Sequence, residues 1–174
     1  ATPVHKPLLI SIFNYCEDRN AELFVIPYRY KNPTSLWTAT QETDDWWASN
    51  IEDYLLSSKK KLSENLIIMG DIKIQPTATD PISGFEGFSG CDSVILGHPK
   101  IRLESIPTLG EPKLLLTTGA ITVPNYTDSK AGQKAKFHHS LAAVVVEVDD
   151  DGLFFIRHIN ASEKCIFYDL DGVY

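Results

Sequence analysis

Beyond Leu66 the apolar residues come in short runs, each cut off by proline, glycine or a polar pair: "LIIMGDIKI", "SVILGH", "IRLESIP", "KLLLTTGAITV", "LAAVVVEV", "LFFIRHI" and "CIFYDL". Runs of about four to eight apolar residues bounded by turn formers have strand length and are too short for typical helices. A chain built this way must draw most of its body from β-sheet. "VDDDGLFF" places Asp-Gly between two of the runs, which is a hairpin signal. "QPTATDPISGFEGFSGCD" is crowded with proline and glycine and reads as a long loop, a kind of segment that is usually functional when ordered.

Helical spacing is confined to the first third. "KPLLISIFNYCEDRN" carries Leu8, Leu9, Ile12, Phe13 and Cys16 on one stripe, with Pro7 suited to a first turn and Asn20 to a stop. "AELFVIPYRY" then reads as a buried strand ended by Pro27. "DDWWASNIEDYLLSS" reads as a second amphipathic helix, opened by Asp44 and Asp45 and lined by Trp47, Ile51, Tyr54 and Leu55. "KKKLSEN" reads as a polar turn. The order α-β-α-β followed by strands predicts a single α/β domain over residues 1–174. Its sheet should be mixed, with helices from the N-terminal half and a β-rich, largely antiparallel C-terminal half. The first helix has no strand before it, so a fragment or the N-terminal domain of a longer chain is the expectation.

The 174 residues suffice for one domain with a core, and 43 % hydrophobic against 22 % charged residues is ordinary for a globular chain. No apolar run approaches the length of a membrane span, and the N-terminus lacks a signal-peptide pattern. Cys16, Cys91 and Cys165 are odd in number and widely spaced, which argues for reduced thiols and a cytoplasmic setting. The 16 Lys+Arg against 23 Asp+Glu give a net charge of −7, which disfavours coating nucleic acid by bulk charge. The charge is uneven, however: "SKAGQKAKFHH" holds Lys130, Lys134 and Lys136 without an acid.

Ligands of open α/β sheets bind beyond the carboxyl ends of parallel strands. Four apolar runs deliver Arg29, Asp71, Lys73, His98, Thr117, Thr118 and Asn125 to such ends. "GD" after one run, "GH" after another, then "HH" is the rough grammar of a metal-dependent phosphoesterase, in which carboxylates and imidazoles hold divalent ions that activate water. Asp71 and His98 are the candidate ligands for manganese or magnesium, and Asp71, His98, His138 and His139 the candidate catalytic residues. The pattern is broken: there is no D-x-H, no G-N-H-E, and Pro99 follows His98. Asp71 can equally be a carboxylate that accepts loop hydrogen bonds, with Gly70 giving backbone room. "GQKAKFHH" reads as a basic loop feeding a strand, where neighbouring residues face opposite sides, so His138 and His139 should not share one site. Arg29, Lys31, Lys73, Lys130, Lys134 and Lys136 are the candidate phosphate or DNA contacts. His158 is expected to be a satisfied structural histidine, and Cys16 and Cys165 to lie in the core.

At "ATPVHKPLL", "VIPYRYKNPTS", "GDIKIQPTATDPISG", "GHPK" and "TTGAITVPNYTDSKAGQKAKFHH" the chain resembles a group of tailed-bacteriophage proteins, the N-terminal region of DNA-transfer or pre-early nuclease-like proteins. The resemblance implies a phage protein acting on DNA in the host cytoplasm, with a metallophosphoesterase-type domain downstream as partner. Three functions compete on these grounds. The first is a DNA-contacting domain of a phosphodiesterase or nuclease. The second is a non-catalytic module that forms homo-oligomers or docks a host protein. The third is a self-contained divergent metallophosphoesterase.

Overall fold

In a computed structural model, residues 2–28 and 47–174 are described; Arg29, Lys31, Trp37 and Trp46, with the start of the second expected helix, lie outside the described residues. Helix α1 spans Lys6–Arg19, with Pro7 in its first turn. It stops where Asn20 turns left-handed (φ 50°) and the Ala21 N–H closes onto the Cys16 carbonyl at 2.8 Å.

Five short strands form one mixed sheet: β1 Lys59–Ser63, β2 Leu66–Met69, β3 Ser93–Leu96, β4 Leu103–Ile106 and β5 Lys113–Thr117. Their spatial order is β1-β2-β3-β5-β4. β2, β3 and β5 run parallel in the centre, with Ile67 beside Val94 and Val94 beside Leu115. β1 and β4 are antiparallel edges. The parallel strands are buried on both faces, which is why "LIIM" and "SVIL" read as continuous apolar runs rather than alternating ones. A hairpin of β6 Ala142–Val148 and β7 Phe154–Asn160 lies apart from this sheet, joined through Asp151 and Gly152 as the sequence signalled. Two small strands, β8 Tyr168–Asp169 and β9 Gly172–Val173, end the chain.

The layers follow from period two. Val144, Val146, Phe154 and Ile156 of the hairpin pack on Leu66, Ile68, Ile95 and Leu116 of the sheet. The alternate residues Ala143, Val145 and Ile159 turn the other way, against Leu8, Ile12 and Tyr15 of α1 and Phe167 of the C-terminal segment. On the opposite face of the sheet the long loop covers Met69, Val94, Leu96 and Leu115 with Ile72, Ile74, Ile82 and Phe85. Burying a side chain such as Ile82 stabilises the fold by about 1.5–3 kcal/mol, so the loop is held down by its own apolar residues. The fold is thus α/β with a mixed sheet and a β-rich C-terminal half. Helices were expected to cover the sheet directly; a hairpin and a loop do so instead.

Four local expectations are corrected. Residues 47–58 hold only a single 3₁₀ turn, Glu52–Tyr54, not the remainder of a helix. The reason is tertiary: Val25 N–H bonds the Tyr54 carbonyl at 2.7 Å and Leu56 N–H bonds the Val25 carbonyl at 2.9 Å, and these bonds need extended backbone. "AELFVI" contributes that single bridge, Val25 to Leu55, rather than a full strand. "KKKLS" is edge strand β1, not a turn. Leu62 points into the core and Lys60 lies over the Phe24 ring at 4.4 Å, while the lysine-rich edge resists further strand pairing. "KAGQKAKFH" is helix α2 Lys130–His138, not a loop: Ser129 caps it by accepting the Gly132 N–H at 3.1 Å.

The glycine of "GD" is needed for packing. A Cβ on Gly70 would lie 2.2 Å from the Leu56 carbonyl oxygen and 2.7 Å from that of Ser58. The glycine of "GH" is similar, its Cβ position being 2.6 Å from Ile26 Cγ2. Gly70→Ala must push backbone aside and is expected to cost about 1–3 kcal/mol, lowering the melting temperature by about 3–10 °C in a fluorescence melt. An unchanged melt would show that the two segments do not press together there. The three cysteines are free thiols: Cys165 is buried, Cys16 half-buried with its thiol pushed up by burial, and Cys91 exposed.

Candidate functional site

The carboxyl ends of β2, β3 and β5 meet at one edge, and three separate segments converge there. After β3 the chain runs through Gly97, His98 and Pro99 to Lys100. After β5 it passes Thr118 and Gly119, whose N–H bonds the His98 carbonyl at 2.9 Å. The C-terminal end of α2 is tied to the same place, because Ser140 N–H donates to the Pro99 carbonyl at 2.9 Å. The long loop arrives from the other side: the Gln75 carbonyl meets His98 and Thr79 meets the lysines.

His98 is fully buried and engaged at both ring nitrogens. The Lys100 N–H donates to Nδ1 at 3.0 Å, so Nδ1 is the acceptor and Nε2 carries the proton that it donates to the Gln75 carbonyl at 3.2 Å. Burial holds this imidazole below its ordinary pKa and therefore neutral. The ring pins two loops to the sheet edge. A metal ion on it would have to displace one of these bonds, so the arrangement does not fit direct ligation by His98. Asp71 is exposed in the turn after β2. Among the described residues no three or more His, Cys, Asp or Glu side chains cluster so as to hold a metal.

The histidine pair separates, at a helix end rather than along a strand. His139 caps α2 and points inward: Nε2–H donates to the Thr122 carbonyl at 2.8 Å and Nδ1 accepts from the Tyr126 hydroxyl at 2.8 Å. Burial lowers its pKa, and burial raises that of Tyr126, so the neutral imidazole and the protonated phenol match their bonds. His138 is half-buried and follows Lys134 by one turn of α2. Its pKa is lowered by burial and then by the charges of Lys100 and Lys134.

The lysines meet on one residue. Lys100 Nζ donates to the Thr79 carbonyl at 2.6 Å, and Lys134 Nζ lies 3.5 Å from Thr79 Oγ1. Of the acids nearby, Asp80 sits 3.6 Å from Arg102 Nε and Glu104 3.8 Å from its Nη2, so both are turned to the arginine. Two ammonium groups brought to one residue raise the local positive potential, which favours a bound anion there. Lys130 stands one turn before Lys134 on the same face of α2, whereas Lys136 is two residues on and faces the other flank. Lys73 is exposed on the loop after β2.

Of the candidates read from the sequence, Lys134 and His138 are thus brought together, with Lys130 beside them. His98 supports the edge from below. His139 and His158 face the interior, the latter donating Nε2–H to the Thr117 carbonyl at 2.7 Å as expected of a structural histidine. Arg29 and Lys31 lie outside the described residues. Lys100 escaped sequence reading. Its signal was its position, a cation directly past the end of a central strand in "GHPK".

No protein-family profile matches the chain, and no solved structure does. Among curated proteins it is similar to "Protein A1" of Escherichia phage T5, with 33 % identity over 174 aligned residues. The alignment takes in 96 % of this chain and 31 % of that protein, so the chain spans about a third of the length of the curated relative it matches. The match supports a phage origin. Among the described residues no helix is long and apolar enough to cross a membrane.

Proposed function

We propose that this chain is a nucleic-acid-contacting domain of a larger phage protein, and that it holds the phosphodiester backbone at the carboxyl edge of its sheet. The observation that carries this is the convergence of Lys100 and Lys134 on Thr79, with His138 one turn after Lys134 on α2. Lysine ammonium groups on loops above a sheet supply the sequence-independent part of nucleic-acid binding. The net charge of −7 keeps the rest of the surface from competing for the strand and confines binding to this edge. On this reading any phosphodiesterase or nuclease chemistry, carried out in the host cytoplasm, belongs to another part of the full-length protein. His98 and His139 are committed to internal bonds, and this chain positions the strand.

The test is binding of a fluorescent oligonucleotide across a salt series. The wild type should bind with an affinity that falls steeply with salt. Lys100→Ala/Lys134→Ala should bind roughly tenfold more weakly, with a log–log salt slope shallower by about two. Lys136→Ala, on the other flank of α2, should change affinity less than the pair. Equal affinity and equal slope for the double variant and the wild type would overturn the assignment.

A further inference from the structure

The outer face of α2 carries more than charge. Phe137 is 83 % exposed, more than the exposed aromatics Phe88, Phe155 and Tyr168. It stands three residues after Lys134 and seven after Lys130, so all three share the solvent face, while Gly132 and Ala135 form the buried one. The His138 ring meets it nearly edge-on, at 5.1 Å between centroids and 77° between planes, which braces the phenyl without covering it. From Ser129 to Val146 the sequence has no acid at all. An exposed ring among cations, beside two lysines that converge on Thr79, has the two parts of a single-strand site: a base stacks on the aromatic while lysines track the backbone.

We propose that this edge takes unpaired nucleic acid, with Phe137 as the stacking platform for a base and Lys130, Lys134 and Lys100 on the adjoining phosphates. The proposal rests on the phosphate-binding assignment above and adds the state of the strand. In a duplex each base is already stacked on its neighbours, so the exposed ring gains nothing from it. An unpaired base gains a face. Stacking on an aromatic is tolerant of base identity, so the site should bind strands of different sequence with similar affinity.

The experiment uses three labelled oligonucleotides of equal length: a thymidine single strand, a mixed-sequence duplex and an abasic single strand. Wild type should bind the thymidine strand more tightly than the abasic one. Phe137→Ala should weaken the thymidine strand about tenfold while leaving duplex and abasic binding within about twofold. Phe137→Trp should restore it. Phe137 is on the surface, so Phe137→Ala keeps the wild-type circular dichroism spectrum. Undiminished thymidine binding by Phe137→Ala, or the same loss on all three ligands, overturns the stacking platform and leaves the basic edge standing. Absence of salt-dependent binding by the wild type to any of the three overturns the basic edge itself, and the platform with it.

Discussion

Arg157→Ala is expected to lower the unfolding free energy at neutral pH by about 3–5 kcal/mol, because it strands a buried carboxylate. Asp169 is 3 % exposed at its side chain and is held by Arg157 through two parallel bonds, Nε to Oδ1 at 2.6 Å and Nη2 to Oδ2 at 2.9 Å. The Tyr15 hydroxyl donates to Oδ2 at 2.8 Å. The group joins α1, β7 and β8, elements drawn from both ends of the sequence. Glu147 also meets the guanidinium, at 3.0 and 3.2 Å, but it is more than half exposed, so Glu147→Gln should cost less than about 1 kcal/mol. The pH dependence separates a stranded charge from a simple loss of packing. In the wild type the Arg157 bonds hold the Asp169 pKa below its ordinary value. A carboxylate with a depressed folded pKa stabilises the fold above its unfolded pKa of about 4, and that contribution is lost as pH falls further. Without Arg157 the same carboxyl is buried with no cation hydrogen-bonded to it, and its folded pKa rises instead. The deficit of the variant should therefore be widest at pH 7 and narrow below pH 4, in urea titrations followed by tryptophan fluorescence. A deficit independent of pH would mean that Arg157 acts through its apolar stem alone.

The sheet was legible in the sequence because buried strands carry their own signature. "LIIM", "SVIL", "KLLLT", "AAVVVEV" and "FFIRHIN" are apolar or alternating runs between turn formers, and every one is a strand. What failed were segments whose structure is decided elsewhere in the chain. Tyr54 to Leu56 carry helical spacing but are drawn out by Val25. "KKKLS" looks like solvent-facing turn until β2 offers it a partner. α2 has almost no apolar face: Gly132 and Ala135 are its buried residues, so periodicity had nothing to register, although Ser129 and the Lys–Ala–Gln composition were available as helix signals. The candidate edge was legible in the same partial way. The sequence marked Lys134, His138 and the strand end at His98. It could not show that Lys100 and Thr79 come together, because they stand 21 positions apart with β3 between them and only the fold brings them into contact.

His98→Ala should be the other severe change, at about 3–5 kcal/mol. The imidazole is 0 % exposed, and its loss leaves the Lys100 N–H and the Gln75 carbonyl without their partner around a new cavity. The wild type should also lose stability as pH falls below about 6.5. The unfolded chain takes up protons on its histidines there, whereas burial keeps His98 and His139 neutral in the fold, so the unfolded state binds more protons. Removing His98 removes part of that slope between pH 7 and pH 5. Manganese or a chelator should leave the melting temperature of both proteins unchanged if the ring serves only backbone groups. A rise with manganese in the wild type that is absent in His98→Ala would instead make the ring a ligand, requiring Lys100 N–H or the Gln75 carbonyl to let go of it. In that event Lys100 would be repositioned as well, because the bond that fixes its backbone is the one given up. On the proposed reading of this edge, the folded fraction of His98→Ala should in either case bind nucleic acid more weakly, since the histidine sets where Lys100 stands.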